Sequence, residues 1–207
     1  HFVELFRAAG ISAEFLRIGF DPRVLTHLDR DMSTDPEQAV VFVGSLNRTQ
    51  HWRSNGILAR AARRLPIDFW GPSVSHWPPW SPVRRRYRGQ AWGLEMYAVL
   101  RSAAIALNRH IQVARGYANN MRLFEATGVG TLLLTDRKAN LHEMFVPDRE
   151  VVTYESVGEL VAKARYYLDH DDERRAVAAA GQERTLRDHT YARRMAELAE
   201  ILEGCLR

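Results

Sequence analysis

The sequence has 207 residues but only one cysteine, Cys205, and no apolar run approaches the roughly 20 residues that span a bilayer. A single cysteine cannot form an internal disulfide, which excludes the disulfide-stapled secreted folds. The N-terminus also lacks a basic region followed by an apolar stretch and a cleavage site, the features of a secretory signal. Together these absences predict a cytoplasmic protein that does not span a membrane.

The sequence also lacks a large excess of positive or negative charge. Lysine and arginine total 29 against 25 acidic residues, a formal charge of +4, which favours an anionic ligand without identifying one. The densest basic run, residues 84–88, is short and isolated, so we interpret it as a solvated loop and predict no nucleic-acid partner. With 46% apolar and 26% charged residues, the composition is that of an ordinary globular domain.

The common hydrolytic and metal motifs are absent as well. There is no nucleophile elbow, no Ser/His/Asp series and no sequence context for a catalytic cysteine. The acidic and histidine residues lack metal-ligand spacing, and the run 169–172 is best interpreted as a junction between helices. We therefore predict neither hydrolase chemistry nor a bound metal.

What the sequence does contain is a regular alternation of strands and helices from residue 39 onward. The strands are continuously apolar, as expected for a parallel sheet covered on both faces. The prediction is a doubly wound α/β domain closed by a C-terminal helical group, with a capping box at Ser156 and Glu159. The predicted strands are 39–43, 67–70, 103–107, 131–135 and 150–153, and the predicted helices are 50–65, 94–102, 120–127, 141–145, 157–168, 171–186 and 191–202.

The first 36 residues show a different pattern. A helix at 2–7 and a strand at 13–18 precede a polar, turn-rich segment at 31–36. One helix and one strand cannot enclose a core. Residues 1–36 are therefore predicted to be the tail of a preceding domain plus a linker, and residues 37–207 to be the α/β domain.

Two loops follow predicted strands at the edge where parallel sheets bind ligands. The first runs from Gly44 through Ser45 to Arg48, where backbone amides and a bidentate cation could hold a phosphate; the alternative is an ordinary strand-to-helix turn. The second contains the polar residues Asn108, Arg109 and His110, for which the alternative is a capped strand terminus. His110 could donate to a leaving phosphate, or it could be a surface histidine.

The stretch 119–136 carries a lone acid, Glu125, on a short helix that a glycine pair joins to an apolar strand. Helical spacing places Glu125 and Arg122 together on one exposed face, at the lip of a cleft. They form either a plain ion pair or a carboxylate for a ribose diol beside a cation near phosphate. The residues expected to face the core are Met121, Phe124 and Gly128.

An ordered series of motifs runs through residues 40–195 and is more specific than any single motif. The series comprises Phe42-Val43-Gly44-Ser45-Leu46, Tyr87-Arg88-Gly89, Gly93-Leu94-Glu95-Met96-Tyr97, Ile105-Ala106-Leu107-Asn108, Asn120-Met121-Arg122-Leu123-Phe124-Glu125-Ala126, Leu133-Leu134-Thr135-Asp136, Asn140-Leu141-His142-Glu143-Met144-Phe145, Glu150-Val151-Val152-Thr153-Tyr154 and His189-Thr190-Tyr191. In this series the chain resembles the C-terminal, donor-binding domain of GT-B glycosyltransferases, specifically the spore-maturation-protein CgeB-like group of glycosyltransferase family 1.

This resemblance implies two Rossmann-like domains that face a cleft, with a nucleotide-diphosphate sugar held mainly by this one. It implies an N-terminal acceptor domain as partner, a sugar, protein or other small-molecule acceptor, and no metal or cofactor beyond the donor. Glu125 matches the ribose-binding glutamate. The donor-binding residues implied are Gly44, Ser45, Arg48, Tyr87, Gly89, Asn108, His110, Asn119, Asn120, Arg122, Glu125 and Asp136.

Two positions depart from the pattern of the broader family. Tyr117 stands where many retaining GT-B enzymes carry a second glutamate, so no catalytic acid can be carried over and His110 is only a weak catalytic candidate. Residues 138–140 replace a Gly-Gly pair that follows the next strand. The prediction is a donor-binding half that transfers little sugar alone; the alternative is a non-catalytic nucleotide- or sugar-binding module of the same fold.

Overall fold

The computed structural model describes residues 2–28, 38–47 and 52–205. Its centre is a six-stranded, wholly parallel sheet in the order β3-β2-β1-β4-β5-β6. This is the order of a doubly wound, Rossmann-like fold, and it confirms the predicted fold class. The strands are β1 Gln38–Val43, β2 Ile67–Trp70, β3 Tyr87–Gly89, β4 Ala103–Leu107, β5 Leu132–Asp136 and β6 Val152–Tyr154.

Helices cover both faces of this sheet. Because side chains alternate along a strand, Val40 and Phe42 of β1 join one apolar cluster while Val41 and Val43 join the cluster on the opposite face. Covering both faces explains why the strands are apolar without interruption. The α-helices are α1 Phe2–Ala8, α2 Val24–His27, α3 Trp52–Ala61, α4 Pro82–Arg85, α5 Gly93–Arg101, α6 Met121–Gly128, α7 Val157–Asp169, α8 Asp171–Asp188 and α9 Tyr191–Cys205.

Most predicted elements occur within one or two residues of their expected bounds. The predicted strand at 13–18 is wrong, because residues 11–19 form no regular secondary structure. Strand β3 went unpredicted because it has only three residues and includes an exposed arginine and a glycine. The predicted brief helix near 141–145 is a 3₁₀ turn at Leu141–Glu143.

The segment before the sheet packs partly on the α/β domain. Helix α1 buries no residue, but Phe20 is fully buried and its backbone bonds to His189 and Tyr191. Gly128 makes room for the Phe20 ring, since a Cβ there would lie 2.6 Å from it. The predicted domain boundary after residue 36 falls outside the described residues and stays a prediction.

Helix α7 begins with the predicted Ser156 cap, but the return bond of the capping box goes to the residue before the N-cap. The Ser156 hydroxyl accepts from the Glu159 amide at 3.1 Å, and the Glu159 carboxylate accepts from the Glu155 amide at 2.9 Å. Ser156→Ala is therefore expected to lower the free energy of unfolding by about 1 kcal/mol, measured by urea denaturation. Ser156→Thr should retain most of the stability, and an unchanged urea midpoint in the alanine variant would contradict the cap.

None of the helices in the described part of the chain is long and apolar enough to cross a bilayer.

Candidate functional site

The strand order reverses between β1 and β4, and there the loops that follow the two strands meet. In doubly wound sheets this reversal opens a crevice at the carboxyl edge. Arg109, from the loop after β4, donates from Nη2 to Asn55 Oδ1 at 2.5 Å and to the Ser45 carbonyl at 3.4 Å. Asn55, on α3, donates in turn to the Asn47 carbonyl at 2.8 Å. The guanidinium of Arg109 is thereby fixed between the two loops.

Arg109 is a buried cation without an acidic partner among the described residues. The residue is 8% exposed, and its Nε has no hydrogen-bond partner there. Burial lowers the pKa of the guanidinium, although Tyr154 and Asp136 act in the opposite direction. The guanidinium carbon also lies over the Phe42 ring, 5.5 Å from its centroid. Since burying an unpaired charge is costly, this arrangement favours an anionic ligand at the crevice.

The next residue, His110, is held by the carboxylate that ends β5. Asp136 Oδ1 lies 2.9 Å from the His110 backbone nitrogen and 2.7 Å from ring Nδ1. Lys138 Nζ contacts Asp136 Oδ2 at 3.0 Å. Burial tends to raise the pKa of Asp136, but the hydrogen bond from His110 and the Lys138 ammonium outweigh it and hold the pKa below its ordinary value.

A pair of asparagine side chains ties the β4 loop to the start of α6. Asn120 Nδ2 donates to Asn108 Oδ1 at 2.9 Å, and Asn108 Nδ2 donates to Thr135 Oγ1 at 3.0 Å. The hydroxyl of Tyr154 donates to the Asn108 carbonyl at 2.9 Å. Both asparagines therefore support the loop that carries Arg109 and His110, a positioning role that the sequence did not indicate.

Glu125 and Arg122 form the ion pair that their spacing predicts, with Nη1 and Oε2 2.9 Å apart. The expectation that they line an exposed lip is wrong, because their side chains are only 7% and 14% exposed. Burial outweighs the effect of Arg122 and raises the pKa of Glu125. Burial, followed by the charge of Glu125, raises the pKa of Tyr97 to about 12. Met121, expected in the core, is 52% exposed, whereas Phe124 is fully buried as predicted.

A cavity of about 590 Å³ lies beside the His110 loop and is open on one side. Ligand pockets commonly have this size. Apolar residues of α1 and of the loop after β4 form one part of its wall, and polar side chains form another. Its polar lining includes His110, Tyr117, Asn119, Asn120, Asn140 and Glu143.

Several predicted donor-binding residues occupy other positions or have other partners. The Tyr87 ring packs against the core from the amino end of β3, and Gly89 ends that edge strand. Asn119 binds backbone atoms of Leu16 and Ile18 in the N-terminal segment. Arg48 lies outside the described residues.

The loop after β1 does not present the row of free amides that the sequence suggested. The Gly44 amide donates to the Trp70 carbonyl at 2.9 Å, and the Leu46 amide donates to the Pro72 carbonyl at 3.0 Å. The Asn47 amide donates to Ser45 Oγ at 3.3 Å. These bonds attach the loop to the end of β2, so the guanidinium of Arg109 is the stronger anion-binding feature here.

Sequence reasoning placed Arg109 at this edge without giving it a role, and it missed Asn55. Arg109 stands between two predicted site residues directly after a buried strand, which is a signal that the sequence does carry. Nothing in the sequence indicates that Asn55 belongs to the site, because a polar residue on an amphipathic helix is ordinarily solvated. Within residues 2–28, 38–47 and 52–205 no cluster of three histidine, cysteine or acidic side chains could hold a metal ion.

The strand order defines a doubly wound, Rossmann-like domain. Comparison of the sequence with known families is more specific. Residues 48–200 match the glycosyl transferase-like family, and the chain belongs to that family. A search of curated protein sequences finds no match.

Solved structures place the fold among GT-B glycosyltransferase domains. Alr3699/HepE from Anabaena, in complex with UDP-glucose, aligns with a TM-score of 0.72 at 13% identity, covering 97% of this chain and 61% of that one. Sucrose-phosphate synthase from Thermosynechococcus elongatus aligns at 0.67 and 16% identity, covering 98% and 56%. The C-terminal domain of the group 1 glycosyl transferase LpcC from Francisella tularensis aligns at 0.59 and 10% identity, covering 83% and 99%.

At these identities the similarity shows the fold alone. This chain spans 56% of the sucrose-phosphate synthase and 61% of the Anabaena protein, but nearly the whole of the isolated C-terminal domain.

Proposed function

We propose that this chain is the donor-binding half of a glycosyltransferase that moves a sugar from a nucleotide-diphosphate sugar to an acceptor. The observation that carries the proposal is Arg109, a buried guanidinium at the β1/β4 switch point with no carboxylate partner in the described part of the chain. Membership of the glycosyl transferase-like family supports the reaction class, and the ordered motifs favour the CgeB-like group within it.

The chemistry of the site suits an anion, and a diphosphate would supply the oxygens that a guanidinium binds. The fork of a guanidinium matches two phosphate oxygens, and Arg109 is already oriented by Asn55 and the Ser45 carbonyl. Helix α6 starts at the same edge, and its N-cap residue Asn120 bonds to Asn108 rather than capping the helix. The amides of that helix end add to the positive potential at the crevice.

In the transfer reaction the bond between the sugar and the diphosphate breaks, and negative charge develops on the departing oxygens. A fixed guanidinium in a buried site stabilises such charge more than water does, because it needs no reorganisation. Arg109 would hold the leaving diphosphate in this way, and we propose that the reaction needs no metal. We further propose, on the family resemblance alone, that Glu125 holds the ribose diol with Arg122 beside it, which requires the buried pair to become accessible to the ligand.

A second candidate is a module that binds the nucleotide sugar without catalysing transfer. Tyr117 favours it, since this position lines the cavity but carries no carboxylate. The two candidates share donor binding and differ in turnover. Release of free nucleoside diphosphate from a sugar conjugate, measured on the longest polypeptide that contains this chain, separates them: sustained release requires an enzyme, and binding without release requires the module.

Donor binding is tested by calorimetric titration with UDP, GDP, ADP and dTDP. At least one of them is expected to bind with a dissociation constant of about 0.1 mM or lower, because two or more charge-assisted hydrogen bonds of roughly 1.5–3 kcal/mol each would form at Arg109. The matching nucleoside without phosphates is the control and should bind much more weakly. If none of the four diphosphates binds, both candidate functions are wrong.

A further inference from the structure

The His110 ring is fixed by two hydrogen bonds to a single carboxylate oxygen. Asp136 Oδ1 takes one bond from the His110 backbone N–H and contacts ring Nδ1 at 2.7 Å. An ionised carboxylate can only accept, so Nδ1 must carry the proton of this bond. Lys138 occupies the second oxygen of Asp136 at 3.0 Å and keeps the carboxylate in place.

When the imidazole is neutral, its proton lies on Nδ1 and its Nε2 presents a lone pair. The His110 side chain is 1% exposed, and Nε2 is buried with no hydrogen-bond partner among the residues that the structure describes. A buried acceptor without a donor costs free energy comparable to a lost hydrogen bond. A ligand group with an O–H or N–H would remove this cost.

The location of His110 narrows the choice of that group. It follows Arg109 directly in sequence and lines the 590 Å³ cavity, together with the amide side chains of Asn119 and Asn120. A phosphate oxygen ionised at neutral pH only accepts, so it suits Arg109 and does not suit the Nε2 lone pair. A sugar hydroxyl donates, and in the donor molecule the sugar is joined directly to the diphosphate.

We propose that His110 is a specificity residue whose Nε2 accepts a hydrogen bond from a hydroxyl of the donor sugar. The proposal rests on the proposed function and deepens it. Arg109 and His110 are adjacent on one loop and contact different parts of the donor molecule. The guanidinium holds the anionic diphosphate, and the imidazole holds the neutral sugar. Asp136 and Lys138 act as positioning residues, since they fix the proton and the plane of the ring.

The test compares the affinity for a nucleoside diphosphate with the affinity for its sugar conjugates. The probes are the diphosphate that binds most tightly among UDP, GDP, ADP and dTDP, and the glucose, galactose and N-acetylglucosamine conjugates of the same nucleotide. His110→Asn places an amide N–H near the position of Nδ1, which keeps a donor to Asp136, but it removes Nε2. The conjugate that binds best to the unmodified protein is expected to bind about 10-fold more weakly to His110→Asn. The free diphosphate should bind to this variant as tightly as to the unmodified protein.

Two further variants control the comparison. His110→Gln can place its side-chain amide near the position of Nε2 and is expected to recover part of the lost affinity. His142→Asn changes an exposed histidine of the neighbouring loop and should leave every affinity unchanged. Thermal unfolding of each variant separates a local loss from misfolding, because a misfolded variant loses affinity for the diphosphate as well.

Three results would overturn the assignment of His110. Equal losses for diphosphate and conjugate in His110→Asn would mean that the ring contacts phosphate. Unchanged affinity for both would mean that the ring contacts neither. The contact would also be excluded if none of the three sugar conjugates bound to the unmodified protein more tightly than the free diphosphate does. In each case the diphosphate still binds, so the proposed function stands, whereas failure of all four diphosphates removes the proposed function itself.

Discussion

Replacing Arg109 by glutamine is expected to weaken the binding of nucleoside diphosphates about 100-fold. The change removes a charge that is buried and already oriented at the switch point, and with it two charge-assisted hydrogen bonds of about 1.5 kcal/mol each. Inorganic pyrophosphate should lose affinity by a similar factor, because the lost contacts are to phosphate. Calorimetric titration of both ligands measures the effect.

Arg101 provides a matched control for this experiment. It ends α5 just before β4 begins, at the opposite edge of the sheet from Arg109, so Arg101→Gln makes the same change of charge far from the crevice. Its affinities should match those of the unmodified protein within about two-fold. If Arg109→Gln binds diphosphates as well as Arg101→Gln does, the anion does not bind at the switch point.

The second large effect is expected on stability. Glu125→Ala should lower the free energy of unfolding by about 3 kcal/mol, because it leaves the Arg122 guanidinium buried without its partner. Chemical denaturation at neutral pH measures the loss. Glu95→Ala, which removes an exposed acid from α5, should change the stability by less than about 0.5 kcal/mol.

A double variant tests the physical reason for this loss. Replacing both members of the pair, as in Arg122→Leu with Glu125→Leu, removes the buried charges together and should restore most of the stability. If Glu125→Ala is as stable as Glu95→Ala, the pair makes no net contribution to the fold. Selective loss of affinity for UDP but not for pyrophosphate in Glu125→Gln would support the proposed ribose contact.

The fold could be predicted from the sequence because its strands are short, apolar on both faces and regularly separated by helices. Strands β2 and β4 have the predicted bounds, and β1 differs by one residue. The features of the fold that the sequence did not predict were missed for physical reasons. Strand β3 is too short for periodicity to reveal, and the packing of Phe20 against Gly128 joins segments too distant in sequence for a local pattern to indicate.

The candidate site could be predicted only in part. Residues directly after a strand, such as Asn108 and His110, were found because the topology places them at the carboxyl edge. The ion pair of Arg122 with Glu125 followed from helical spacing, but its burial depends on the packing of the neighbouring helix α5, which no local pattern encodes. Contacts between distant segments were likewise not visible, and the bond from Arg109 to Asn55 is the most important of them.

The most direct test of a donor site at the switch point is a crystal structure of the chain with the nucleoside diphosphate that binds most tightly. Phosphate oxygens are expected within hydrogen-bond distance of the Arg109 guanidinium, between the loops that follow β1 and β4. Phosphates bound elsewhere, with Arg109 contacting only Asn55 and the Ser45 carbonyl, would contradict this expectation.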